Sequence, residues 1–332
     1  SSKTKVCGHI RRTLGLSQSN FENYSAGETV EHHLAGVGIF ARRYVEPGSH
    51  AGDLGLRQKR NPIYQTFQRR QWNAHGGFLD VRTIFSRVPR DRMHVEGSGE
   101  GYERDQRNVA RIIQTLDQHD PKKPFFIFNF FESPHARYYF PTSAVIRTNY
   151  LKEFNYARMD VDAFKRDIEG IRNRYINSVH ALDMNLAPLW KYLEEHQIRD
   201  NTVVIFTGDH GEEFMEKGRW GHNSEFVNEQ VQPPLVIWVP GHAPAVDNRL
   251  SAHMDLTATL MPLLGVQNPA TDYSFGFSLV ENPARKFTII SDWDRAAYVD
   301  EEVKITVPMS VKGFFRQRVT DFNDQPVTNS AA

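Results

Sequence analysis

Asp200-Asn-Thr-Val-Val-Ile-Phe-Thr-Gly-Asp-His-Gly-Glu-Glu213 changes character at its midpoint. Its first half is β-branched and aromatic at nearly every position, as a strand buried on both faces of a parallel sheet must be. Its second half sets Asp209 and His210 between Gly208 and Gly211, which let the backbone turn sharply enough for both side chains to enter one space. Ligands of open α/β sheets bind beyond the carboxyl ends of strands, so this junction is where chemistry is expected. Upstream, Phe125-Phe-Ile-Phe-Asn-Phe130 is a second buried strand and runs into Glu132-Ser-Pro-His135. Between the two, Tyr175, Val179, Leu182, Leu186, Leu189 and Leu193 form one helical stripe. Pro188 falls inside that stripe and predicts two helical pieces or a bend near Ala187. Downstream, Leu235-Val-Ile-Trp-Val239 and Phe287-Thr-Ile-Ile-Ser291 read as further strands, with a short helix over 255–264 capped by Gly265. Alternating helices and strands predict an α/β layered domain.

The first 110 residues have another texture. Gly, Arg, His and Ser are scattered through them without sustained apolar periodicity, and the helical spacing of Val109, Ile112, Ile113 and Leu116 begins only at their end. Leu34-Ala-Gly-Val-Gly-Ile-Phe40 reads as a short helix or strand, and residues 63–67 as a helical turn. The expected organisation is a basic, poorly patterned part, 1–110, and an α/β core, 111–332. Charge divides the same way. The 332 residues carry 40 Lys+Arg and 40 Asp+Glu, but residues 1–110 hold 17 basic against 11 acidic groups and the remainder 23 against 29. A neutral sum removes the general argument for a nucleic-acid partner, which needs a surplus of cations facing phosphates. The lone Cys7 excludes an intrachain disulfide and a cysteine-based zinc cluster. The longest apolar run, 124–131, falls far short of the ~20 residues of a membrane helix. The N-terminus lacks the order of a signal peptide. The chain therefore reads as soluble, as would a domain excised from a larger membrane protein.

His135, Asp209, His210 and His222 are the chemically able side chains at the ends of two successive buried strands. Adjacent oxygen and nitrogen donors at Asp209 and His210 suit a borderline cation such as zinc or manganese. Taken one at a time, each of these residues also reads as an ordinary hydrogen-bonded turn residue; the combination points to a metal or anion site.

The run 200–213, the segment Gly218-Arg-Trp-Gly-His222 and Pro233-Pro-Leu-Val-Ile-Trp-Val-Pro-Gly241 resemble the C-terminal half of the sulfatase branch of the alkaline phosphatase superfamily. Ser133-Pro-His-Ala-Arg-Tyr138 is similar to that family's strand-end histidine motif. Ser251-Ala-His-Met-Asp-Leu-Thr-Ala-Thr-Leu260 is similar to its His-x-Asp-x-x-Pro-Thr-Leu segment, with Ala258 where proline is usual. The likeness covers roughly 108–325. In texture it is nearest to sulfatase-like extracytoplasmic domains of bacterial inner-membrane proteins, relatives of phosphoethanolamine transferases and lipoteichoic acid synthases. The resemblance implies a three-layer sandwich whose mostly parallel central sheet is flanked by helices. It also implies a divalent-metal (Zn, Mn, Ca or Mg) hydrolase or transferase of a sulfate or phosphate ester, acting through a covalent intermediate on an envelope lipid or glycan. By matching position, Asp209 and His210 would bind metal, and His222 would ligate a second site or donate to the substrate anion. His135 would bind the ester or assist the leaving group, and Arg219 would contact a charged oxygen. An extracytoplasmic, periplasmic location and attachment to a membrane domain outside this chain follow from the same likeness.

The departures lie in residues 1–110. Family members open with a strand that ends in an acidic metal ligand, followed by a Thr, Ser or Cys nucleophile, and neither is evident here. Cys7-Gly-His-Ile-Arg11 has the ends of the formylglycine pattern but His9 in place of proline. Tyr24-Ser-Ala-Gly-Glu-Thr29, with Gly38-Ile-Phe40 after it, is distantly similar to the glycine-rich nucleophile loop and nominates Thr29. The plainer reading of the same residues is a Ser/Gly turn before a short helix. An alternative function is therefore a non-catalytic domain that binds an anionic lipid or glycan headgroup. A third reading has residues 1–110 incomplete or foreign to the fold.

Overall fold

The strands β1 (Val37–Arg42), β2 (Ile63–Gln68), β3 (Met93–Glu96), β4 (Phe125–Phe130), β5 (Thr202–Thr207) and, after the short pair β6 (Glu213–Phe214) and β7 (Trp220–Gly221), β8 (Leu235–Trp238) follow one another along the chain. All but the short pair form one six-stranded sheet, ordered β3-β2-β4-β1-β5-β8. The computed structural model describes residues 37–42, 63–68, 93–96, 98–281, 285–309 and 317–327. The chain divides into two units, one of residues 1–45, 59–220 and 232–244, the other of 46–58, 221–231 and 245–332.

In the first unit β2 pairs in parallel with β3 and β4, whereas β1 runs antiparallel to both β4 and β5, and β8 antiparallel to β5. The sheet is thus mixed rather than the mostly parallel one expected. An apolar run records burial, not direction, so the reversed β1 between β4 and β5 could not be read from the pattern. Residues 63–67, expected as a helical turn, belong to β2, where pairing with β4 overrides an ambiguous local pattern.

Helix α1 (Gly101–Asp117) starts eight residues ahead of Val109, where the apolar spacing begins, because Glu100 and Glu103 close a capping box at its N-terminus. Helix α2 (Val161–Glu195) is capped by Asp160, which accepts the Ala163 N–H at 2.8 Å. It is one continuous helix, not the two pieces Pro188 suggested. The carbonyl that Pro188 deprives of an intrahelical donor belongs to Met184, which is exposed, so the loss falls on the solvent side.

Val109, Ile112 and Leu116 of α1 and Leu182, Leu186, Leu189, Trp190 and Leu193 of α2 pack with Phe125, Ile127, Val204 and Phe206 in one core. Each such aliphatic side chain contributes roughly 1.5–3 kcal/mol by leaving water. Among the described residues, both long helices share this core, so the helices on both sheet faces that a three-layer sandwich needs are not both seen. A 35-residue helix is about 52 Å long, against about 20 Å for a six-residue strand. The surplus goes to a second cluster, in which Ile171, Tyr175, Ile176 and Val179 of α2 hold Tyr138, Phe154 and Phe214 from the segments beyond the strand ends.

In the second unit, α3 (Asn228–Val231) and α4 (Met254–Leu263) accompany a four-stranded antiparallel sheet of β9 (Thr288–Ser291), β10 (Arg295–Val299), β11 (Val303–Pro308) and β12 (Arg318–Asp321). The expected fourth strand, 287–291, is β9, at the edge of this separate sheet. Buried Asp255 pairs with Arg285 and accepts the backbone N–H of Ala252 at 2.8 Å and of Phe277 at 2.8 Å. Buried Lys304 meets Asp324, Asn228 and the Phe226 carbonyl. No helix among the described residues is long and apolar enough to cross a membrane.

Candidate functional site

Because β4 and β5 are both antiparallel to β1, they run the same way and their C-terminal ends open on the same side of the sheet. Strand β4 leads into Glu132-Ser-Pro-His135 and β5 into Gly208-Asp-His210. Between them lies a cleft of about 20 Å³ lined by Phe130, Phe131, Pro134, His135, Asp209, His210 and Glu212. That is room for one water-sized group. The structure thus brings together three of the expected site residues, His135, Asp209 and His210.

The two histidines are set alike. Nδ1 of His135 lies 2.8 Å from the Ala136 carbonyl, and Nδ1 of His210 lies 2.8 Å from the Gly211 carbonyl. A carbonyl only accepts, so each Nδ1 carries a proton, and the neutral form of either ring has its lone pair at Nε2. Nε2 of His210 is 3.7 Å from Asp209 Oδ2, while Asp209 Oδ1 accepts the His210 backbone N–H at 3.1 Å. The side chains are 39% exposed for Asp209 and 34% for His210, so a solute reaches them.

The loop after β4 is fixed from two sides. On the α1 side, Asp105 is fully buried and accepts the backbone N–H of Glu132 at 2.9 Å and of Ser133 at 2.8 Å, together with the Ser133 hydroxyl. Beside it the Arg104 guanidinium forks onto the Glu132 carboxylate, with Nε 2.8 Å from Oε2. On the α2 side, Arg174 donates to the carbonyls of Arg137 at 3.1 Å, Leu151 at 3.0 Å and Lys152 at 3.0 Å. Asn177 accepts the N–H of Ile146 and of Arg147, both at 2.9 Å. Gly170 admits the backbone of Leu151, which would lie 3.1 Å from an added Cβ. Tyr138 is buried at a left-handed φ of 57° and stacks on Phe154, 5.5 Å away, with its edge toward Tyr175 at 5.4 Å.

Burial pushes the Asp105 carboxyl up to about 7, against the hydrogen bonds from Ser133 and the Glu132 N–H, which lower it. Burial first, and the Glu212 carboxylate second, push the Tyr138 phenol well above its ordinary value.

Arg219 is exposed and does not line the cleft. Its backbone is anchored, since buried Glu213 accepts the N–H of Lys217 at 3.0 Å and of Arg219 at 2.7 Å across a turn closed from Met215 N–H to the Arg219 carbonyl at 2.7 Å. His222 is half-buried and belongs to the second unit. Thr29 lies outside the described residues. Two residues of this region escaped the sequence pattern. Glu212 stands only two positions after His210, and nothing in the helical spacing of α1 distinguishes Asp105 from a solvated acid.

Among the described residues, no group of three or more His, Cys, Asp or Glu side chains is placed to hold a metal ion. Asp209 and His210 offer one oxygen and one nitrogen, short of the three protein ligands of a catalytic zinc. The described donors do not complete a metal site.

Residues 52–266 match the Sulfatase family, and the chain belongs to it. Among its relatives, the choline-sulfatase of Rhizobium meliloti (strain 1021) is 30% identical over 123 residues, 36% of this chain and 23% of the relative. The N-acetylgalactosamine-6-sulfatase of Mus musculus is 24% identical over 252 residues, 73% of this chain and 41% of the relative. The chain therefore spans less than half the length of these relatives. They are sulfatases, rather than the phosphoethanolamine transferase or lipoteichoic acid synthase relatives the sequence suggested. Two solved structures share the fold: an alkaline phosphatase superfamily protein from Vibrio parahaemolyticus, with TM-score 0.52, 19% identity, and coverage of 80% of this chain and 60% of that one, and the phosphonate monoester hydrolase of Agrobacterium radiobacter, with TM-score 0.56, 19% identity, and coverage of 71% and 59%. The α/β class of the first unit follows from both the sheet and these likenesses.

Proposed function

We propose that this chain is a sulfuric ester hydrolase that takes an anionic, sulfated glycan or a related envelope ester as substrate. The observation that carries the reading is the cleft uniting His135, Asp209 and His210 at the ends of two like-directed strands, in a member of the Sulfatase family. In hydrolysis a nucleophile oxygen bonds to sulfur as the bond between sulfur and the ester oxygen breaks, and the leaving alcohol oxygen takes a proton; net, water supplies both the oxygen that stays on sulfur and that proton. The Ala136 carbonyl occupies Nδ1 of His135, so a proton delivered by that ring leaves from Nε2. His135 in its charged form also attracts the sulfuryl oxygens and releases its proton as the alcohol departs. His210 holds its Nδ1 in the same way and presents the Nε2 lone pair beside Asp209, so the two neighbours offer a cation one nitrogen and one oxygen donor. By the family likeness, Asp209 and His210 would be two of the ligands of a divalent metal, which would supply Lewis acidity to the ester. Thr29 is nominated as nucleophile, and Arg219 and His222 as anion contacts, on motif similarity.

The test is turnover of p-nitrophenyl sulfate and p-nitrophenyl phosphate by the purified chain, its Asp209→Ala variant and its His135→Ala variant, each with added divalent cations. Sulfate ester turnover that falls about 100-fold or more in both variants is expected. Phosphate turnover alone would reassign the ester. Binding of an anionic lipid or glycan headgroup without turnover of either ester would overturn the proposal in favour of a non-catalytic domain.

A further inference from the structure

The turn that carries His135 depends on a carboxylate from a different element. Asp105 sits in the second turn of α1, far from the strand in sequence, and is 0% exposed. Burying a carboxyl group is costly unless its oxygens are engaged. Both oxygens of Asp105 are engaged by the same two residues, Glu132 and Ser133, which follow Phe131 just beyond the end of β4. The next link is local. With the N–H groups of Glu132 and Ser133 fixed, the Glu132 carbonyl accepts the His135 N–H at 2.9 Å, and the His135 carbonyl accepts the Tyr138 N–H at 2.7 Å. The His135 ring is then set by the Ala136 carbonyl. A residue needed only for packing could be apolar, as buried Val109, Ile112 and Leu116 of the same helix are.

We infer that Asp105 is a positioning residue for His135, holding the strand-end turn so that the Nε2 edge of the imidazole faces the cleft. The inference rests on the proposed hydrolase for its catalytic consequence, but its geometric content stands apart from it. Arg104 works beside it by pinning the Glu132 side chain, so the two neighbouring residues of α1 hold one turn through its backbone and its side chain.

Asp105→Ala, Asp105→Asn and Ser133→Ala, made in the full chain, test it by two readouts. One is the His135 Cε1–Hε1 NMR signal, assigned by its loss in His135→Gln. The other is the division of any turnover loss between kcat and KM with the aryl sulfate. Asp105→Ala should shift or broaden the His135 signal, leave those of His119 and His196 in place, and lower kcat about 10- to 100-fold with KM within about twofold. Asp105→Asn, which keeps one acceptor oxygen, should restore part of both. If Asp105→Ala does not fold, Asp105→Asn and Ser133→Ala decide by the same readouts. Variants that lose thermal stability while the His135 signal and kcat stay at wild type would overturn the inference. If the wild-type chain hydrolyses no ester, the proposed function fails on its own, and the His135 signal still decides whether Asp105 positions that ring.

Discussion

Replacing Asp105 with asparagine should change how the stability of this protein depends on pH. The carboxyl has an ordinary value of 3.8, and burial pushes it up to about 7 in the folded chain despite the donors of Glu132 and Ser133. Folded protein therefore keeps a proton that the unfolded chain releases between about pH 4 and pH 7. Where the folded state binds more protons, stability falls as pH rises. At about 1.4 kcal/mol per pH unit, the gap favours the neutral folded form by roughly 4 kcal/mol. That contribution is complete below about pH 4 and is lost as pH approaches 7. The carboxamide of the Asp105→Asn variant has no proton to lose. Urea unfolding followed by tryptophan emission, from pH 4.5 to pH 8, should show wild-type stability falling relative to Asp105→Asn by about 2–4 kcal/mol. Most of the change should lie between pH 5 and pH 7. Other titrating groups act on both proteins and cancel in the difference. Parallel curves across that range would refute the reasoning, as would a difference that grows with pH, the behaviour of a carboxylate stabilised in its charged form.

Asp324→Ala strands the buried Lys304 ammonium and should destabilise the second unit by about 3–5 kcal/mol, whereas Lys304→Met with Asp324→Leu should cost much less; thermal midpoints of the two variants compare them. Gly276→Ala places a Cβ 2.2 Å from the Met254 carbonyl oxygen, a backbone atom that cannot swing away, and should cost about 1–3 kcal/mol in chemical denaturation. Glu213→Ala removes the acceptor of the Lys217 and Arg219 N–H groups, so limited trypsin digestion should cut after these exposed residues faster than in wild type while cleavage at Lys191 keeps its rate.

Phe125–Phe130 and Thr202–Thr207 were legible as strands because burial leaves a continuous apolar trace. The stripe of α2 was legible for the same reason. The opening of α1 was not, since Tyr102, Glu103, Arg104, Gln106 and Arg107 look solvated and only the Glu100 and Glu103 pair signals a helix start. Strand direction leaves no trace in composition, which is why the reversed β1 came only with the structure. In the site, the Asp-His pair between glycines and the histidine four residues past Phe131 were found by their position at strand ends. Asp105 was missed because its purpose lies in the backbone N–H groups of residues 132 and 133, and an acceptor for backbone donors has no motif of its own.

Helix α2 touches two things at once. Its C-terminal half lies in the sheet core at Leu182, Leu186 and Leu189, and its N-terminal half holds the strand-end loops through Tyr175, Arg174 and Asn177. A rod that belongs to both cannot be retuned for one alone. An engineer who repacks the core around Leu186 to raise heat resistance also moves the post to which the loop from Arg137 to Lys152 is tied. Robustness and the geometry of the cleft are therefore inherited together along this helix.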